Sequence, residues 1–321
     1  MNTLFYFPDI EVAVNSKVLL NEEESNHCVR VLRLNQGDSV YLTNGKGVMF
    51  RAVIVRVAPK ACWLRIEERF DRWAERPYYL HLAVAPTKNS DRYEWMVEKV
   101  TEVGVDEITP IIAARSERRE FKTDRIQRIA ISAMKQSIKA QLPVIHPIVS
   151  FDSFINKSFD GIKLIAHCGS GARIGLNEAL IVALTAASAA ASVNAQIKAP
   201  VESSAAAPVE SSAAALTAAQ VNAHIKAPVE TQVNASAAAP VESLAAAPVE
   251  SPAEAPQNGE KSLRCLVLIG PEGDFTPDEV AQAEANGFQS IHLGTSRLRT
   301  ETAAIVAASA IYLSLPFQRG N

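Results

Sequence analysis

The sequence predicts a mixed α/β chain with two folded parts, a small β-rich module and a larger domain of parallel strands and helices. That prediction rests on three features. Short β-type runs separated by turn signals fill residues 1 to about 70. From Tyr78 onward, almost continuous apolar runs alternate with stretches of helical periodicity, as buried parallel strands joined by helices should. The length, 321 residues, fits two domains at roughly 150 residues each.

In the first part, TLFYF, KVLL, SVYLTN, MFRAVIVRV and ACWLRIEE read as strands, with turns at NQGD (35–38) and NGKG (44–47). Asn44-Gly45 between two strands is a hairpin signal. A short helix is expected over Glu22 to Leu32, with Arg30 and Arg33 near its end. A compact barrel-like module carrying a basic helix suits contact with an RNA backbone, although many small β-domains bind nothing. DRWAERP (71–77) is polar, ends in proline and reads as a linker.

In the second part, YYLHLAVAP (78–86) is a buried strand. SDRYEWMVEKVTEVG (90–104) follows as a helix, with Met96, Val100 and Val103 at helical spacing and Gly104 as terminator. ITPIIAA (108–114) completes a βαβ unit. A longer helix is expected over about 123–140, and strands at GIKLIAHC (161–168) and LRCLVLIG (263–270). Thr276-Pro277-Asp278-Glu279 is a helix start, with a capping threonine, proline at the first position and a glutamate that closes a capping box. That helix ends near Asn286-Gly287. SIHLG (290–294) is a short strand, and TETAAIVAASAIYLSL (300–315) the last helix.

Between these parts lies a tract of another kind. Residues 183–258 contain no aromatic residue, no glycine and no arginine, and the string APVE occurs in them five times. The repeats carry no large apolar residue at fixed places, so they cannot stack as a solenoid. A segment this poor in bulky side chains cannot bury enough surface to offset its ordering entropy, and disorder is the expectation. A tether or interaction tail is one role for it. A tolerated expansion in a surface loop is the other.

The net charge is −3, but the tract holds two lysines and six glutamates, and the remaining 245 residues carry 30 basic and 29 acidic side chains. Positive charge is also clustered. Residues 115–139 hold eight Lys/Arg against three acids, and Arg115, Arg118, Arg119 and Lys122 are candidate phosphate contacts with Arg30 and Arg33. A solvated face of mixed charge is the alternative. The chain has no run of about 18 apolar residues, which excludes a membrane-spanning helix. The four cysteines are scattered without a CxxC pair, so neither a disulfide framework nor a cysteine metal site is expected, and no metal-ligand cluster is apparent. With an N-terminus unlike a secretory signal, this predicts a cytoplasmic protein.

Two glycine-bearing loops, GPEGDF (270–275) and GTSRLR (294–299), leave the carboxyl ends of two strands, the edge where open α/β sheets bind ligands. Gly270, Gly273 and Gly294 can bring bare backbone groups close to a ligand. No GxxxxGK[ST] occurs, so a triphosphate site is not expected. GSGARIG (169–175) approaches the dinucleotide fingerprint, but its glycine spacing is one residue too long.

LIGPEGDF (268–275) followed by HLGTSRLRTETAA (292–304) resembles the paired C-terminal motifs of the RsmE family, the 16S ribosomal RNA uridine-N3 methyltransferases of the SPOUT class. TKNSDRYEWMVEKVTEVGVDEITPI (87–111) resembles the family's first βαβ segment, and NHCVRVLRLNQGD (26–38) its PUA-like RNA-binding domain. The resemblance covers all but 183–258. It departs at Asp274, where the family often has glycine, and at the tract.

The resemblance implies a PUA-like β-barrel domain at 1–70, a linker at 71–77, and a SPOUT-type α/β domain with a trefoil knot at 78–321. It implies a homodimer that binds S-adenosylmethionine and acts on 16S ribosomal RNA in the small subunit. Ile269, Gly270, Pro271, Glu272 and Gly273 would line one side of the cofactor. Leu293, Gly294, Leu298, Arg299 and Thr300 would line the other, with His167 nearby. Arg299 would stabilise negative charge on the uracil, and Glu301 would orient it or accept the proton. A methyltransferase acting on transfer RNA and a non-catalytic RNA-binding protein are the competing readings.

Joining Val182 directly to Asn258 should leave the fold intact. Loop closure costs about 0.6 kcal/mol per doubling of length, so a tenfold shortening should stabilise by roughly 2 kcal/mol. Thermal melting of the deletion variant measures this, and a variant that does not fold would show that the tract contributes packed structure.

Overall fold

The computed structural model describes residues 3–8, 10–186 and 263–315; residues 187–258 of the low-complexity tract lie outside them. Residues Met1–Asn194 and Pro256–Asn321 form one compact unit.

Its first layer is a five-stranded sheet of β1 (Leu4–Tyr6), β2 (Lys17–Leu19), β3 (Ser39–Thr43), β4 (Met49–Arg56) and β5 (Trp63–Phe70), in the order β1-β3-β4-β5-β2. Only β1 with β3 is parallel. Period-two alternation turns Phe50, Ala52 and Ile54 of β4 into a core with Phe5, Leu20, Leu42 and Leu64. The NQGD turn is closed by Asp38, whose carboxylate accepts from Asn35 N at 2.7 Å.

The expected helix over Glu22–Leu32 is two different turns. Asn21 caps α1 (Glu22–Asn26), and the chain then widens into a π-turn at His27–Val31. Cys28 is buried by this turn, and Arg33 lies beyond it at φ 53°. Arg30 and Arg33 are both exposed.

The second sheet is entirely parallel. It contains β6 (Tyr78–Val84), β7 (Glu107–Ile112), β8 (Val144–Ile145), β10 (Ile162–Ala166), β11 (Ile174–Gly175), β12 (Leu263–Ile269) and β13 (Gln289–His292), ordered β11-β13-β10-β12-β6-β7-β8. A short β9 (Val149–Ser150) pairs with β7 off this path. The helices are α2 (Ser90–Val103), α3 (Thr123–Gln136), α4 (Phe151–Ile155), α5 (176–186), α6 (Pro277–Ala285) and α7 (Thr300–Leu313).

Strand β12 shows why the run is apolar beyond Arg264. Leu263, Cys265, Val267 and Ile269 face a core built with α2, α3, α5 and α7. Leu266 and Leu268 face a second core with Phe151, Phe154, Phe275 and Phe288. Both faces are covered, so alternation disappears from the sequence. The buried stripe of α7 is mostly alanine (Ala303, Ala304, Ala307, Ala308), which lets this helix pack close on α2.

Helix α3 ends at Gln136 instead of continuing to 140, with Ile138 at φ 52°. The freed chain grips the first sheet. Gly47 N donates to Ala140 O at 2.9 Å, Leu142 N to Gly45 O at 2.9 Å, and Thr43 Oγ1 to Ala140 O at 3.2 Å. Gly45 has φ +74°, and a Cβ there would come within 2.9 Å of the Tyr6 ring, so both conformation and space demand glycine. Lys135 also pairs with Glu24 at 2.6 Å. The 71–77 segment is not free chain either, because Trp73 packs edge-on against Phe70 and tilted against Tyr41.

Asp106, just before β7, is 5% exposed. Its carboxylate accepts from Leu80 N at 2.9 Å and from Arg76 at 3.0 Å. No described helix is long and apolar enough to cross a membrane.

Helix α5 contains residues 183–186, and Ala183 and Leu184 pack against the larger core. A deletion that begins after residue 186 should therefore melt above one that begins after Val182. Asp106→Ala removes one partner of a buried pair and strands Arg76, so it should cost about 3–5 kcal/mol in urea unfolding. A loss below 1 kcal/mol would show that water replaces the carboxylate.

Candidate functional site

At the carboxyl edge of β10, β12 and β13 lies a cavity of about 290 Å³. One wall is the turn after β12. Asp274 N donates to Pro271 O at 2.9 Å, which closes Pro271–Asp274 on itself. Asp274 has φ 63°, the left-handed region that glycine prefers and aspartate tolerates. Its carboxylate accepts from Cys168 N at 2.8 Å and from Phe275 N at 2.9 Å. The Asp274 side chain thus ties this turn to the loop after β10.

The second wall is the loop between β13 and α7. Thr300, 4% exposed, donates through Oγ1 to Gly270 O at 2.9 Å and locks the two walls together. Gly273 lies outside the cavity lining. A Cβ there would approach the Arg115 side chain to 3.1 Å, and Arg115 donates to the Gly273 carbonyl at 2.8 Å. Arg115, read from sequence as a phosphate contact, is thus engaged in bracing the loop.

Ile269, Gly270, Pro271, Glu272, Leu293, Gly294, Leu298, Arg299, Thr300 and His167 all line the cavity. Glu272 accepts from Lys88 N at 2.9 Å through Oε1, so the turn is also tied to the loop before α2. Sequence reasoning missed Arg173 and His292. Arg173 comes from GSGARIG, the segment set aside because its glycine spacing did not fit a dinucleotide site. The glycine richness was the usable signal. Arg173 donates to His167 O at 2.6 Å and so folds that loop over the cavity.

His167 is 8% exposed, and neither ring nitrogen has a hydrogen-bond partner among the described residues. Burial, then the neighbouring Arg173, pushes its pKa below the ordinary value. It is neutral at pH 7 and offers one donor and one acceptor to a ligand.

Arg299 is the residue before α7, exposed at the cavity rim; its carbonyl accepts from Ala303 N at 2.8 Å, while its guanidinium has no hydrogen bond or ion pair among the described residues. Glu301 is different. It is buried, it does not line the cavity, and its nearest cation is Arg92, at 3.9 Å. No Arg299–Glu301 pair forms among the described residues. Glu301 Oε2 is buried without a hydrogen-bond partner among those residues. Arg299 caps α7 in an extended conformation, whereas Glu301 lies in the first turn of the helix and is turned into the core.

The basic stretch 115–122 is loop rather than helix face. Arg119 and Lys122 are exposed, and Arg118 donates to the carbonyls of Lys88 and Glu120.

A family model described as an RNA methyltransferase domain matches residues 74–193 and 212–312, more than half of the chain. The chain belongs to the RsmE-type RNA methyltransferase family. A model described as an RNA methyltransferase PUA domain matches residues 20–67, within the five-stranded sheet. The ribosomal RNA small subunit methyltransferase E of Bacillus subtilis (strain 168) is 27% identical over 149 residues, 44% of this chain and 58% of the relative. The matches with it and with the Rickettsia conorii enzyme span about three fifths of those relatives' length. Among solved structures, a probable rRNA-methyltransferase from Porphyromonas gingivalis is 32% identical, with 97% of each chain covered and a TM-score of 0.64. A ribosomal RNA small subunit methyltransferase E from Neisseria gonorrhoeae, bound to S-adenosyl methionine, shares the fold at 22% identity, 97% coverage of each chain and a TM-score of 0.65. The cavity of this RsmE-type chain sits where its two C-terminal motifs meet.

The depressed His167 pKa has a sign for stability. The unfolded chain takes up a proton below about pH 6.5 that the folded chain resists, so stability falls as pH drops through that range. His167→Leu should flatten the slope of unfolding free energy between pH 7 and 5.5, measured by urea denaturation. An unchanged slope would mean that His167 titrates freely in the fold.

Proposed function

We propose that this protein transfers a methyl group from S-adenosylmethionine to N3 of a uridine in 16S ribosomal RNA of the small subunit, acting as a cytoplasmic homodimer. The observation that carries this reading is the cavity closed by two motif loops, with an arginine at its rim whose guanidinium is unpaired among the described residues. The cofactor fits the donor set. Backbone groups of the Gly270 and Leu293–Gly294 loops suit an adenine edge, and the orphaned ring nitrogens of His167 suit a polar ligand group. The cavity volume lies at the lower end of the range for small-molecule sites.

When bound, the cofactor supplies a sulfonium methyl already activated for transfer. The protein must hold the uracil in line and close to it. Uridine N3 carries a proton and becomes a good nucleophile only when that proton leaves, here to solvent water at the open rim. Arg299 stabilises the negative charge that develops on the uracil oxygens. Glu301, buried and 3.9 Å from Arg92, is assigned a positioning role rather than proton transfer.

The β-rich module and the exposed Arg30, Arg33, Arg119 and Lys122 support RNA binding through phosphate, together with Arg118. The knot is part of the same proposal. It is supported by the path of α7, which leaves β13 beyond β10 and returns to pack on α2 and β6. The domain limits 1–70, 71–77 and 78–321 are proposed with it, and the tract stands as an insertion in the second domain.

The test is methyl transfer from labelled cofactor to 30S subunits, to naked ribosomal RNA and to transfer RNA, with nucleoside mass spectrometry of the product. N3-methyluridine in ribosomal RNA is expected. Arg299→Ala should lower kcat at least 100-fold, about 2.7 kcal/mol, with cofactor binding retained. Near-normal turnover would remove Arg299 from the chemistry. Replacing Arg118, Arg119 and Lys122 together should flatten the salt dependence of RNA binding by up to about one log–log unit per lost contact.

A further inference from the structure

Away from the cavity, the fold brings together three side chains that the sequence keeps far apart. His81 of β6 stands directly opposite Glu107 of β7 in register. His146 follows β8 and continues its pairing, its N donating to Ile108 O at 2.9 Å. The His146 Nε2 atom is 2.7 Å from Glu107 Oε2, and His81 Nδ1 is 3.5 Å from the same oxygen. Each of the three residues offers a ligand atom within 4.8 Å of the others.

We infer that His81, Glu107 and His146 form a binding site for one divalent cation of the zinc type, which clamps three neighbouring strands of the parallel sheet. The surrounding contacts are those a metal site needs. His81 Nε2 is 2.8 Å from Thr109 Oγ1. With its proton on Nε2, donated to that hydroxyl, His81 offers Nδ1 as a ligand atom 3.5 Å from Glu107 Oε2. A hydrogen-bonded second ring nitrogen is how ligating histidines are oriented. The other carboxylate oxygen is taken by the Tyr79 hydroxyl, so Oε2 alone faces the histidines.

Spacing agrees. Ligands at about 2.0–2.1 Å from a tetrahedral ion lie roughly 3.3 Å from one another, a value bracketed by 2.7 and 3.5 Å. The two histidine rings already lie side by side, centroids 5.6 Å apart. His81 and Glu107 are 12% and 20% exposed in their side chains and His146 is 33% exposed, which gives an ion an entry path and leaves the fourth position to water. Two imidazoles and one carboxylate favour zinc and its neighbours over magnesium or calcium.

Lys157, whose ammonium lies 5.8 Å from the Phe154 ring, is the cation that opposes an ion here.

Titration of the chelator-treated full chain with zinc chloride by calorimetry tests this, with cobalt substitution read by visible absorption. One zinc per chain and a tetrahedral cobalt spectrum are expected, with a rise in melting temperature on binding. His146→Ala, the most exposed ligand, should weaken zinc binding at least about 100-fold while the fold is retained by circular dichroism. Cys168→Ser, which removes the exposed thiol, should bind as the wild type does. No zinc binding, or binding unchanged by His146→Ala, would overturn the site. The readout is independent of methyl transfer, so it stands or falls separately from the proposed reaction.

Discussion

The buried hydroxyl of Thr300, donating to the carbonyl of Gly270, is the contact on which the cavity depends. It joins the end of a central strand to the start of the last helix. Those two elements are held by different parts of the core. Strand β12 is fixed by β6 and β10 on either side, and α7 by its alanine face on α2. The hydrogen bond transfers the rigidity of both to two loops that would otherwise move apart. A buried acceptor left unmade costs about 1–3 kcal/mol, so the loops gain nothing by separating. Asp274 repeats the arrangement on the other side, drawing the loop after β10 against the turn through Cys168 N.

The module carrying the exposed Arg30 and Arg33 is held as firmly. Its Asn44–Gly47 turn is inserted into the chain after α3, and backbone hydrogen bonds run in both directions between them. Gly45 is the only side-chain choice that permits this approach, because Tyr6 and Leu142 occupy the space of a Cβ. The polar residues of 71–77 bridge the two sheets through Trp73 and Arg76, so a sequence that looks like a linker behaves as a seam.

Much of the parallel sheet was legible in the sequence, since strands buried on both faces write themselves as apolar runs. So was the α6 start, where Thr276 and Glu279 form the capping box their spacing announces. Most of the cavity lining followed from the glycine-bearing motifs. What escaped depends on contacts distant in sequence. The two-residue strands β8 and β9 carry too few residues to show any period, and they exist because β7 offers an edge. Helix α3 stops at Gln136 because the following residues are taken by the first sheet, a competition no local propensity expresses. The pairing of Glu301 with Arg92 instead of Arg299 is likewise fixed by the packing of α7 on α2. The His81, Glu107 and His146 cluster has no spacing motif at all, because strand register assembles it.

The position of β12 in the sheet bears on how the protein is made. This strand lies in the middle of the order, hydrogen-bonded to β6 on one side and β10 on the other, yet it is read from the message after both. Until Ile269 has been synthesised, β6 and β10 each present a bare edge and cannot meet. Unpaired parallel edges are the surfaces on which nascent chains associate wrongly. A chain stalled or truncated before residue 263 would therefore hold a finished N-terminal module beside a split sheet, and quality control would meet it as a half-built protein.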